Sequence, residues 1–387
     1  MNNSELLSYR RQLFQDAVRF RKGDRIPHLS NFVFWPILYC GYKLSEACRN
    51  WDIMEEVQRS FLDEFSFDLT RPLGTTLCNP PAMADGIGTP AHIFDDENGM
   101  VSIHDNRFLD PEDYDEFISD KNRCDWEKVL PNKYPAWNEL TVGDLVKPIE
   151  EFQKYNSYVA KMTAALKEDY GLPSIDCVMG GMAGIEMMFT PYVGMKGMAR
   201  DMRKFPDKIQ AACESLERGT DQIISMITNP DLDESQSAFT TSLTFLSHVF
   251  LNPKQWDAFY WPRLKKILDA VVEADKTIYM FIEGKIDRFY SYFAEYPAGH
   301  IAMHLEQDDL YEARNAMPNV CLVGGLTTEV LGTATPQECV SKTKQLIDDL
   351  GSHGGFILSQ NKMVSYLRDA KPENVRAVCD FVNNYHL

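Results

Sequence analysis

The sequence predicts an α/β protein, a (β/α)8 TIM barrel with an inserted β-hairpin and loop region after strand 2. Short apolar runs alternate with longer amphipathic stretches, in β-then-α order, eight times along 387 residues. Connections are short and the strands read as buried runs, which implies a parallel sheet. No G-x-G-x-x-G opens the first unit, so a doubly wound dinucleotide-binding sheet is disfavoured.

The elements follow in order. Residues 4–22 have helical spacing, with Leu6, Leu7, Leu13, Val18 and Phe20 between Arg and Gln. "RIPHLSNFVF" reads as strand 1, running into an aromatic-rich loop. "SEACRNWDIMEEVQRSFLDEF" is a helix, and "FDLTRP" is strand 2, closed by Pro72. Residues 73–135 break the rhythm. "IGTPAHIFDDENGMVSIHDN" has the pattern of a hairpin with "DDENG" as its turn. "PEDYDEFISDKNRCDWEKVLPNKYP" is acidic and rich in Asp and Pro, as expected of an excursion over the surface. The stretch lacks a core's share of aliphatics, so it reads as an insertion in one domain spanning 1–387.

After residue 145 the alternation resumes. "DLVKPIEEFQKYNSYVAKMTAALKEDYG" is helix, "PSIDCVMGG" strand 3, and "GMKGMARDMRKFPDKIQAACESLERGTDQIISMI" helix. "SAFTTSLTF", "TIYMFIEG", "GHIAMHLE", "NVCLVGGL" and "GGFILSQN" are strands 4 to 8, with helical segments between them and "KPENVRAVCDFVNNY" closing the chain.

Composition excludes several functions. Formal net charge is −18, which repels phosphate backbones and argues against nucleic-acid binding. The nine cysteines are odd in number and form no C-x-x-C, against a disulfide framework or zinc ribbon. A reducing, cytoplasmic setting is expected. No signal-peptide h-region and no run of 18 apolar residues occurs, so no membrane span is expected. A nucleophile elbow, a P-loop and H-E-x-x-H are absent.

A (β/α)8 barrel places its chemistry at the C-terminal ends of its strands. That filter selects Asn31, Phe34 and Trp35 after strand 1, Arg71 after strand 2, and His248 just past strand 4. Glu283 ends strand 5, His304 and Glu306 end strand 6, and Asn361 follows strand 8. Alternation turns Tyr279, Phe281 and Glu283 to one face and Ile278, Met280 and Ile282 to the other. The same rule points Ala302, His304 and Glu306 inward. Two carboxylates and an imidazole at one rim suit metal binding through O and N ligands, or acid–base work with shifted pKa values. The plainer alternative is that His304 and Glu306 hydrogen-bond each other and the backbone. "FVFWP" is either a core aromatic cluster or a wall against a flat ligand. Cys321, at the start of strand 7, reads as a core thiol.

The C-terminal half resembles the uroporphyrinogen decarboxylase superfamily. The landmarks are "GGLTTEVLGTATPQECV", a "GGFIL" strand and a "PENV" helix start; "PSIDCVMGGMAGIEMMFTPYVGMKGMARDMRKFPDKI" and "LNPKQWDAFYWPRLKKI" match earlier blocks. The resemblance implies a (β/α)8 barrel. Decarboxylases of the superfamily carry "R-Q-A-G-R-Y" near the N-terminus, where this chain reads "RIPHLSNFVFWP". Lacking those arginines, an acidic chain suits a polycarboxylated porphyrinogen poorly. The resemblance therefore points to the corrinoid-dependent (methylcobamide) methyltransferase branch. The coenzyme M enzymes of that branch hold zinc through H-x-C and a later Cys. H-x-C falls here on Phe281, Ile282 and Glu283, and the later Cys near Asn361 or Lys362. Glu283 with His304, and Glu306 beside them, then form an oxygen-rich candidate set for zinc acting as a Lewis acid.

The expected function is transfer of a methyl group between a small methylated substrate (methoxy compound, amine or thiol) and a corrinoid protein. Glu283, His304 and Glu306 are the expected catalytic residues. Asn31, Phe34, Trp35, Arg71, His248, Phe281 and Asn361 are the expected substrate or corrin pocket. The rivals are a decarboxylase or lyase acting on a smaller acid and a non-catalytic corrinoid- or tetrapyrrole-binding barrel. The sequence leaves homodimerisation open.

Overall fold

A computed structural model describes the chain apart from residues 78, 79, 85, 86, 88–91, 104, 179 and 181–183. The strands are β1 (His28–Leu29), β2 (His92–Asp95), β3 (Met100–Ile103), β4 (Thr241–Phe245), β5 (Ile278–Ile282), β6 (Ile301–Leu305), β7 (Cys321–Leu326) and β8 (Phe356–Gln360). Six form one parallel sheet in the order β1-β8-β7-β6-β5-β4. Isolated parallel bridges extend it at both edges: Leu69 beside Leu29, and Ser174 and Val178 beside Ser237 and Thr241. Eight parallel segments thus follow one another around a curled α/β sheet, consistent with a (β/α)8 barrel.

The expected strands 4 to 8 form as read. Strands 1 to 3 are shorter than expected. Among the described residues, "RIPHLSNFVF" contributes two ladder residues, "FDLTRP" one isolated bridge and "PSIDCVMGG" two, with residues 179 and 181 of the last outside the described residues. Pro27, Pro72 and Pro173 lack the N–H that a ladder needs.

The two faces of β5 go to different places. Ile278, Met280 and Ile282 join Ile301, Met303 and Leu305 in the large core beneath the helices. Tyr279 and Phe281 join Leu29, Leu69, Ala302, Cys321, Val323 and Ile357 inside the curl. Cys321 is a buried interior thiol, pushed up to about 12 by burial, as a core cysteine should be. Helix Asn3–Val18 closes one end of this interior with Phe14, Ala17 and Val18. Ala17 O accepts from Gly355 N, just before β8, so the helix sits at the N-terminal ends of the strands. The C-terminal ends are left for a site.

A buried ion network fixes the first two segments. Asp68 accepts from Arg25 Nη1 at 2.6 Å and Nη2 at 2.7 Å, Arg10 Nε at 3.3 Å and the His28 N–H at 2.8 Å. Burial alone would raise its pKa. The hydrogen bonds and charge of Arg25, then the charge of Arg10, outweigh burial and hold the carboxyl below its usual range.

Two expectations need correction. The helix read over "GMKGMARDMRKFPDKIQAACESLERGTDQIISMI" is three helices, Gly194–Lys204, Pro206–Ser215 and Glu217–Ile227. Pro206 cannot donate within the first helix and instead starts the second. The stretch after residue 108 is not a surface excursion. Leu109, Tyr114, Phe117, Cys124 and Val129 enter the large core, and Tyr114 donates to the buried Asp201 at 2.6 Å. Its aromatics supply the core contacts, despite the acidic, Asp- and Pro-rich composition that suggested exposure. Before it, β2 and β3 pair antiparallel, His92 opposite Ile103, with Gly99 at φ 63° in the turn. No helix among the described residues is long and apolar enough to cross a membrane.

Candidate active site

A cavity, partly open to solvent, lies at the C-terminal ends of the strands. Asn31, Arg71, Thr244, Tyr279, Phe281 and Met363 line it, Thr244 from within β4, Tyr279 and Phe281 from the inward face of β5, and the others from segments that follow strands. Of the expected pocket residues, Asn31, Arg71 and Phe281 are there. Asn31 is held by its own N–H, which donates to Gln360 Oε1 at 2.8 Å. The Arg71 guanidinium lies 5.8 Å from the Tyr279 ring centre.

His304 is fully buried and faces inward as the alternation predicts. Its Nε2 lies 2.8 Å from the Gln360 carbonyl, which can only accept, so Nε2 carries the proton. Nδ1 then accepts from the Tyr279 hydroxyl at 2.6 Å. Burial, with the Arg71 charge as a lesser contribution, lowers its pKa to about 4, so the ring is neutral. Phe281 packs edge-on against it at 5.0 Å. This corrects the expected Glu283–His304 metal pair. Both ring nitrogens are committed, and neither presents a lone pair to a metal at the rim. The donor set does not fit zinc in this arrangement. His304 instead orients Tyr279, close to the plainer reading of its role, but with Tyr279 and Gln360 as partners in place of Glu306.

The carboxylates do converge. Glu283 N donates to Phe245 O and Glu306 N to Ile282 O, which sets both residues just past their strands. Gly284 follows at φ 81°, a turn that favours glycine, and its N–H donates to Glu306 Oε2 at 2.6 Å. Asn361 donates to the Glu306 carbonyl at 2.7 Å, while its Oδ1 is buried without a partner. The Glu283 side chain reaches solvent, yet protein surrounds enough of it to matter. Partial desolvation first, and the Glu306 charge second, push its carboxyl above the usual range. Such a group holds a proton closer to neutrality than an ordinary glutamate.

Four expected pocket residues do not line the cavity: Asn361, which sits against Glu306, and Trp35, Phe34 and His248. Trp35 is fully buried, stacked on Tyr39 at 4.6 Å and packed against Phe32, Phe61 and Phe65, with Nε1 donating to Ala370 O. It is core, the bland alternative for "FVFWP". Phe34 packs with the Ile37 and Leu44 cluster, and Phe32 and Val33 line the cavity instead. The helix Trp35–Tyr39, with Pro36 in its first turn, turns the chain away before those rings reach the cavity. His248 is buried against Phe245 with no hydrogen-bond partner on either nitrogen, and it does not line the cavity. Two residues went unread. Gln360 bridges Asn31 and His304, and Asp176, which receives the Ser242 hydroxyl, faces Arg71 electrostatically. Alternation along strand 8 was no guide to Gln360, because its backbone carbonyl makes the bond to His304.

A curled parallel sheet with a polar, aromatic-walled cavity at its C-terminal ends defines the class, an α/β barrel-like protein of the kind that hosts enzyme sites. The chain belongs to the uroporphyrinogen decarboxylase (URO-D) family, whose model matches residues 130–385. No curated protein matches the chain. Among solved structures, it is similar to a methyltransferase from Methanosarcina mazei at 14% identity and a TM-score of 0.61, over 97% of this chain and 98% of that one.

Proposed function

We propose that the chain is a (β/α)8-barrel methyltransferase moving a methyl group between a small methylated substrate and a corrinoid protein. The observation that carries this is the cavity at the strand ends, walled by Tyr279 and Phe281, with the Glu283 and Glu306 carboxylates just past neighbouring strands at the same end. The family and the likeness to a methyltransferase support the same reading. When docked, the corrinoid supplies the cobalt that takes or gives the methyl group. The chain's own residues do the rest. Tyr279 and Phe281 give the substrate a flat wall. Glu283, whose carboxyl is raised above its usual range, gives a proton to a leaving oxygen or nitrogen when protonated, or takes one from an accepting thiol when ionised. His304 fixes Tyr279 and stays neutral, and no step runs through a metal.

The test is incubation with a reduced corrinoid protein and a panel of methoxyaromatics, methylamines and thiols, with cobalt methylation followed by absorbance. Methylation by one class, reduced on the order of 100-fold in Glu283→Gln, is expected. Carbon dioxide release from acids without cobalt methylation would replace the reading with a decarboxylase. Corrinoid binding with no methylation by any member would replace it with a binding barrel.

A further inference from the structure

Arg71 is the exception among the buried and half-buried arginines. Arg25 and Arg10 share Asp68, Arg107 pairs with Asp201, and Arg314 donates to the Val320 and Gly355 carbonyls. Among the described residues, the Arg71 guanidinium makes no ion pair and no hydrogen bond, and no unprinted partner satisfies it. The carboxylate acting on it, Asp176, is beyond ion-pair distance and is taken by the Ser242 hydroxyl. A guanidinium has five N–H donors in a rigid fork that matches a carboxylate in two parallel bonds. Arg71 is only half-buried, so water meets its N–H groups in the open cavity, and a ligand carboxylate can replace that water with two charge-assisted bonds.

The surroundings narrow that ligand. The faces beside Arg71 are flat: the Tyr279 ring is 5.8 Å from it, and Phe281 lines the same cavity. The Tyr279 hydroxyl donates to His304, so the ring cannot turn to serve Arg71. Asn31 and Thr244 add neutral polar groups to the lining.

We infer that the cavity binds a small planar carboxylate, its carboxylate paired with Arg71 and its ring laid along Tyr279 and Phe281. The methyl group would then be carried at the end of the substrate remote from the acid. That last point rests on the methyltransferase reading, whereas the binding does not.

Calorimetry on the full chain with 4-methoxybenzoate and 4-methoxybenzamide separates the two. The acid should bind, and the amide, which lacks the charge, should bind at least about tenfold more weakly. Arg71→Met should lose the acid by a similar or larger factor. Arg71→Lys should recover part of it, since lysine keeps the charge but not the fork. Thermal melting of each variant checks that it is folded. Equal binding of acid and amide, unchanged binding of the acid by folded Arg71→Met, or no binding of either probe would overturn the inference. Acid binding that depends on Arg71, with no cobalt methylation by any substrate, would uphold the anion site and sink the methyl-transfer reading. Methylation from a neutral substrate that is indifferent to Arg71→Met would do the reverse.

Discussion

Asp68→Asn should unfold the protein several degrees earlier and loosen the segment that carries Arg71. Asp68 accepts four N–H groups, two on each oxygen: Arg25 Nη2 and Arg10 Nε on Oδ1, Arg25 Nη1 and the His28 N–H on Oδ2. An asparagine keeps one oxygen. Whichever way its amide turns, two of the four donors face an NH2 group, and two guanidiniums lose their counter-charge in a buried place. Breaking a buried ion pair from one side costs about 3–5 kcal/mol. At roughly 2.1 cal/mol/K of unfolding entropy per residue, 387 residues give about 0.8 kcal/mol/K, so Tm should fall by about 4–6 °C. The assay is calorimetric melting at neutral pH, repeated down to acid pH. Asp68 has a lowered native pKa, so its contribution is full above the ordinary carboxyl value and lost as pH falls through the native value. The parent and Asp68→Asn curves should therefore converge toward acid pH. A shift under about 1 °C at neutral pH, or curves that stay parallel, would refute the reasoning.

Other outcomes follow from single contacts. Tyr279→Phe leaves His304 Nδ1 buried without its donor and should cost about 1–3 kcal/mol in a denaturant titration. By NMR, the His304, His28 and His248 imidazoles should titrate near 4. Each native pKa is lowered, so its contribution is full above the ordinary imidazole value and lost as pH falls toward 4; titration of all three near the free value would contradict their burial. Trp35→Ala should cost about 3–5 kcal/mol, as core truncations do, while any folded fraction keeps its ligand affinity. Phe281→Ala should instead weaken ligand binding directly. A Trp35 variant of normal stability and poor affinity would put that ring back in the pocket.

How much was legible depended on what each residue needed to be read. The strand β5 alternates strictly, and both its faces went where period two sends them: Met280 to the helices, Phe281 to the interior. Glu283 was legible as a rim residue because Gly284 ends the strand immediately after it. Phe34 and Trp35 were misread, because "FVFWP" does not say that Pro36 opens a short helix and carries both rings away from the cavity. His304 faces inward as the alternation expects, but its hydrogen-bond partners were not legible. Its partners, Tyr279 and Gln360, lie 25 and 56 residues away in the chain, and no local pattern names them.

The sequence by itself therefore determined the alternation of strands and helices, the inward faces of the later strands and the end at which chemistry would gather. Those properties follow from backbone geometry and local burial, which repeat every two or 3.6 residues. Only the tertiary structure decided which polar groups satisfy one another. Hydrogen bonds and charges are settled by distances between segments remote in sequence. That is why His304 turns out to be saturated, Arg71 to have no hydrogen-bond or ion-pair partner among the described residues, and Glu283 to share its rim with Glu306.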